Sequence, residues 1–223
     1  MSSFIKFGED VPGYKIRVLN EREIRAGAGM LFVLMFVAIL SAIMKAEFTL
    51  LKYAVLIFLA DMLIRVLVNP KYSPVLILGR FFVRNQVPEY VGAVQKKFAW
   101  IIGVTLAVTM FILINMLNTF SFITGLICLL CLIFLFFESA FGICLGCKVY
   151  SWIYKEKAQY CPGEVCEIKD RHEIQKTNFS QWLVVVMFIA YIVTIVFLFN
   201  DIFKIPPHDL FSGKSLEEIR QQQ

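Results

Sequence analysis

Charge and histidine are scarce in this chain: 17% of its 223 residues are charged and only two are histidine. Soluble domains carry about 25% charged and about 45–50% apolar residues. Here 59% are hydrophobic, so water is not the main solvent. There is no glycine-rich phosphate loop and no His-Glu-x-x-His, which argues against nucleotide and zincin chemistry. No polar stretch offers room for a soluble catalytic domain. Alternating strands of a membrane β-barrel are missing too. The first apolar run lacks a convincing small-residue cleavage site, so it is expected to be retained rather than removed as a signal peptide.

The apolar residues fall in blocks at 26–44, 48–68, 98–117, 120–141 and 182–199. A hydrocarbon core of about 30 Å takes roughly 20 helical residues, and every backbone group inside it must be paired. The expected fold is therefore all-α, a polytopic membrane bundle of about five transmembrane helices, with four possible if the last is not a span. Its parts are a cytoplasmic segment 1–25, a four-helix membrane core 26–153 containing an inner interfacial segment 69–97, a cytoplasmic Cys-containing loop 154–181, a fifth helix 182–199 and a polar tail 200–223.

Lysine and arginine set the orientation, because basic loops stay on the cytoplasmic side. With the N-terminus inside, sixteen of the 22 Lys and Arg residues fall on inner segments and four on outer ones, Lys45, Lys204, Lys214 and Arg220. Lys52 and Arg65 lie within the second block. The net charge of +5 is thus explained by topology and by membrane lipids with anionic headgroups, with no nucleic acid partner. Between the second and third blocks, the apolar stretch 75–85 interrupted by Arg80 and Arg84 reads as an interfacial or re-entrant helix. Those two arginines suit lipid headgroups or another anion.

Six cysteines form three close pairs. Cys128 and Cys131 sit in the apolar core, Cys128 about 12 Å along a helix that begins at Phe120, and read as small packing residues. Cys144 and Cys147 lie beyond the core, about 36 Å along the same helix if it is continuous. A Cys-x-x-Cys pair at a membrane face cycles between dithiol and disulfide, passes sulfur, or holds half of a metal site. Such pairs usually lie at a helix N-terminus; this one lies near the end of a span unless Gly142 breaks the helix, and both remain open. Cys161 and Cys166 are secondary thiols in the following polar loop. With Cys144 and Cys147 they would make a relay or a four-cysteine zinc site, although the wider spacing of Cys161 and Cys166 fits zinc poorly. No cofactor is otherwise expected.

Ionisable residues within spans are costly and mark candidate sites. Asp61 and Arg65, four apart, share a helix face and can neutralise each other. Glu138 has no partner in its own helix and shares a face with Cys131; it can pair with Arg65 across the bundle or move protons during thiol chemistry.

Val18-Leu19-Asn20-Glu21-Arg22-Glu23, Asp61 with Arg65, Asn69-Pro70, Gly79-Arg80, Phe98-Ala99, and above all Glu138 followed by Gly142-Ile143-Cys144-Leu145-Gly146-Cys147, resemble the bacterial membrane family domain of unknown function 4395. The resemblance runs over residues 14–155 and leaves out Cys161, Cys166 and the fifth helix. It implies a helical protein of the bacterial inner membrane. It also points to thioredoxin-like or sulfurtransferase proteins as partners, and brings no established activity.

The function expected from these residues is thiol/disulfide or sulfur-transfer chemistry through Cys144 and Cys147, with Glu138 handling protons, which would make the protein a thiol-disulfide oxidoreductase or sulfur-relay component. The alternatives are transport of a small anion such as a sulfur oxyanion, drawn by Arg65, Arg80 and Arg84, and a non-catalytic anchor for a partner.

Overall fold

A computed structural model describes residues 7–11, 14, 16–154, 177–211 and 213–214. Cys161, Cys166 and His172 lie outside the described residues. Among the described residues the elements are helical apart from four very short strands, so the all-α expectation holds.

The chain opens on β1 (Val18–Asn20), which pairs antiparallel with β2 (Tyr90–Gly92), Asn20 opposite Tyr90. Helix α1 (Glu21–Lys45) follows at once. It starts five residues before the apolar block because the Asn20 side chain accepts from the Arg22 N–H, and Glu21 and Glu23 occupy the first turn, where the helix dipole favours acidic residues. The chain then turns through Ala46, in the left-handed region at φ 58°.

Helix α2 (Thr49–Leu63) runs on as a π-helical stretch, Ile64–Val68. Next come a 3-10 turn (Pro70–Tyr72) and α3 (Pro74–Val83). Ser73 caps α3 through its hydroxyl and Pro74 occupies the first turn, where its missing N–H costs nothing. The interfacial segment expected here is this ten-residue helix, buried along much of its length and packed on α1. Its closeness to α1 requires Gly79, since a Cβ there would lie 2.7 Å from the Glu23 carbonyl oxygen.

Helix α4 (Ala93–Met110) extends as a π-helix through Met116. Helix α5 (Phe122–Phe136), fixed by a reciprocal Ser121–Thr124 cap, also extends as a π-helix, Phe137–Phe141. Helix α6 (Leu145–Tyr154) and helix α7 (Phe179–Lys204) complete the set. Two-residue strands β3 (Thr119–Phe120) and β4 (His208–Asp209) pair in parallel beyond α7.

Among the described residues four helices are long and apolar enough to cross a membrane: Glu21–Lys45, Ala93–Met116, Phe122–Phe141 and Phe179–Lys204. The second expected span differs from these in carrying Lys52, Asp61 and Arg65, all buried inside the bundle. Leu31, Met35, Val55, Phe58, Trp100 and Ile114 of α1, α2 and α4 form one apolar core. By contrast α7 is exposed along most of its length, as a helix facing lipid would be.

Candidate functional site

The helix containing Glu138 does not continue to the cysteines. Gly142 takes a left-handed conformation, φ 66°, and ends the π-helical stretch. The chain then restarts as α6 at Leu145, so Cys144 stands at the N-terminal boundary of a new helix. The alternative left open by the sequence is thereby decided for this backbone: the Cys-x-x-Cys lies at a helix start. Glycine suits position 142 because a side chain there would be strained and would also press within 3.2 Å of the Arg25 guanidinium.

Within the motif, Gly146 has a steric role. A Cβ at this position would lie 2.5 Å from Ala99 Cβ and 2.8 Å from Ala99 Cα, so only glycine lets α6 pack this closely on α4. Phe98 and Tyr150, edge to face at 5.4 Å, complete the contact. This packing holds the start of α6 against Lys96, one turn before Trp100.

Both side chains are buried thiols outside any disulfide. The Cys147 N–H donates to Cys144 Sγ at 3.3 Å, the arrangement by which a capping residue uses a donor left over at a helix start. The Cys147 thiol also bonds to Cys144, and this is the chief reason that the Cys144 thiol is pushed below its ordinary range, with Lys96 and the backbone N–H acting in the same direction against burial. Cys147 moves the opposite way, raised by that same bond and by burial. The pair is therefore asymmetric: Cys144 is the sulfur favoured as thiolate, and Cys147 the one favoured as thiol.

Lys96 is the residue that sequence reasoning missed as part of the site. Its ammonium is buried and meets Glu138 Oε1 at 2.7 Å and Glu21 Oε2 at 2.8 Å. Glu138 thus pairs with Lys96 and not with Arg65, contrary to the pairing considered from sequence. The β1–β2 clip holds the starts of α1 and α4 beside each other, and the π-helical stretch brings Glu138 in from α5. Partners this far apart in the chain leave no local periodicity to find them. Glu21 is disguised further as an ordinary first-turn acidic residue.

The other candidates have structural partners. Asp61 Oδ2 accepts from Arg65 Nε at 2.7 Å, while Oδ1 accepts from the Ser73 hydroxyl at 2.7 Å and the Val75 N–H at 3.0 Å. The pair consequently ties α2 to the start of α3, and the Arg65 guanidinium lies over the Trp100 ring at 5.3 Å. Arg80 is buried and grips Glu23 through two bonds, 2.9 and 2.8 Å, which removes it from the headgroup-facing surface expected of it. Arg84 alone of the two is exposed, its guanidinium 4.8 Å from the Phe81 ring centre.

A cavity of about 50 Å³ lies between α2, α4, α5 and the start of α6. Cys144 lines it, with Glu138, Cys131, Met62 and Trp100 among its other walls; Cys147 does not. Cys128 lines a separate apolar groove of about 370 Å³ with Ile39, Phe48 and Phe120. Among the described residues no group of three or more His, Cys, Asp or Glu is arranged to hold a metal ion. The further thiols of the four-cysteine zinc reading, Cys161 and Cys166, fall outside those residues.

Helices long and apolar enough to cross a membrane, packed around a buried charged core, define the class, an all-α helical bundle. Residues 19–155 match the family described as Domain of unknown function (DUF4395), and the chain belongs to that family. The matched stretch contains every residue of the site, from Glu21 to Cys147, and excludes α7. No curated protein and no solved structure matches the chain.

Proposed function

We propose that this protein performs thiol exchange or sulfur transfer through Cys144 and Cys147 at the cytoplasmic face of a bacterial inner membrane, with its N-terminus inside. The observation that carries the reading is the position of Cys144 at the start of α6, where its sulfur accepts the Cys147 N–H. A helix start, an adjacent thiol donor and a nearby ammonium all favour the thiolate, the form that attacks disulfides and persulfides. Glu138 and Lys96 are the groups placed to take up and return a proton as the sulfur changes charge. The excess of basic residues on the inner segments supports the orientation.

In this reading Cys144 attacks first. Its partner is a thiol or persulfide, small or carried on a protein of the thioredoxin-like or sulfurtransferase kind. The rival transport reading has less support, because two of its three arginines, Arg65 and Arg80, are already held by buried carboxylates.

The test is mixed-disulfide trapping in cells. Changing Cys147 to serine should accumulate an adduct through Cys144, and changing both cysteines to serine should remove it. An adduct pattern indifferent to both changes would sink the proposal.

A further inference from the structure

The cavity beside Cys144 limits what the thiol can take. A cavity must offer about 10–15 Å³ of probe-occupied space to hold one water, whereas an apolar cavity of about 150 Å³ is what accommodates a benzene ring. At about 50 Å³ the space exceeds what one water needs and is about a third of the benzene site, a size that suits a small added group such as a sulfur atom. Its walls supply a second, independent indication. Three sulfur-bearing side chains, Met62, Cys131 and Cys144, line it together with the aromatic and aliphatic surfaces of Phe58, Trp100 and Leu135. Such soft, polarisable walls suit a neutral or weakly hydrated sulfur far better than an oxyanion.

We infer that the cavity is a binding site for a single sulfane sulfur, carried as a persulfide on Cys144. The inference rests on the thiol reading above and narrows it from electrons to sulfur. The Cys144 thiolate attacks the outer sulfur of a donor persulfide, R–S–SH. A new Cys144–S bond forms, the donor's S–S bond breaks, and R–S⁻ leaves with the electron pair. The products are Cys144–S–SH and R–S⁻. Charge and atoms balance, and no external oxidant is needed. The terminal sulfur occupies the cavity until an acceptor thiolate attacks it in the same way and restores the Cys144 thiolate. Lys96, already placed between Glu21 and Glu138, supplies positive charge to whichever sulfur is anionic.

The experiment uses the full chain, reduced and held in lipid nanodiscs, with glutathione persulfide as donor. After removal of the donor, sulfur is counted by cyanolysis and located by peptide mass. The expected result is close to one sulfur per chain on the Cys144 peptide, lost in Cys144→Ser and kept in Cys147→Ser. Gly103 also lines the cavity, and a Cβ there meets only Met62 Sδ at 3.8 Å, an ordinary contact. Gly103→Val should therefore fold, fill the space and lower sulfur loading by about tenfold, as expected of overpacking a small cavity. Exchange of the same variant with glutathione disulfide is measured alongside as a separate readout of Cys144, and Gly103→Ala should give an intermediate loading. Normal disulfide exchange without sulfur loading in the unaltered protein would overturn the sulfur inference and leave the thiol reading standing. Loss of neither activity in Gly103→Val would overturn the cavity's role. Absence of both activities from the unaltered protein would overturn the inference together with the reading beneath it.

Discussion

Cys128-Leu-Leu-Cys131 and Cys144-Leu-Gly-Cys147 have the same spacing, and all four are buried thiols outside any disulfide. Their surroundings are opposite. The first pair sits within α5, where the helix's own hydrogen bonds use the backbone N–H groups, and no cation among the described ion pairs belongs to it. The second begins a helix, keeps an N–H for its sulfur, and has Lys96 close by. Spacing alone therefore does not make a reactive pair. In the proposed reading the second pair is set apart by a helix break just before the motif and an ammonium supplied by another helix.

The strongest way to break the contrast is to remove that ammonium. Lys96→Met leaves Glu21 and Glu138 facing each other in a buried site, and losing one partner of a buried ion pair costs about 3–5 kcal/mol. Unfolding of the variant in detergent should show a loss of this size. The same substitution should raise the Cys144 thiol toward its ordinary range, because the Lys96 charge is one of the causes lowering it. A stable Lys96→Met protein with unaltered Cys144 reactivity would leave the charged cluster without a role at the second pair.

A smaller effect is expected at the helix break. Gly142→Ala places a Cβ on a left-handed residue, at a cost of about 1–2 kcal/mol, and presses it on Arg25. Thermal unfolding should register that loss. If the site depends on where α6 starts, the variant should also slow Cys144 alkylation, whereas alkylation at Cys128 should not change.

Much of this arrangement is legible in the sequence, and the reasons differ by feature. The long helices announce themselves as apolar blocks, because lipid leaves a helix few alternatives. The Asp61 and Arg65 pair is visible because its members stand one turn apart. The Cys144 and Cys147 motif is visible as spacing, but its position at a helix start depends on the backbone at Gly142, and glycine permits a break without requiring it. Glu21, Lys96 and Glu138 come from three helices, and nothing local in the chain says that they meet. The same holds for Arg80, which looks from sequence like a headgroup ligand and is instead enclosed with Glu23. Helix ends are similarly hard to place: the cap at Asn20 starts α1 well before its apolar block begins.

Site-by-site alkylation tests the central claim most directly. The folded protein in nanodiscs would be exposed briefly to iodoacetamide over a series of pH values, quenched and mapped by peptide mass. Alkylation follows the thiolate, so a lowered thiol reacts at lower pH and a raised one only at higher pH. Cys144 should therefore react first and retain its reactivity at pH values where an ordinary thiol has lost it, while Cys147, Cys128 and Cys131 lag behind. Labelling of Cys144 no faster than Cys128, with the same pH dependence, would contradict the account.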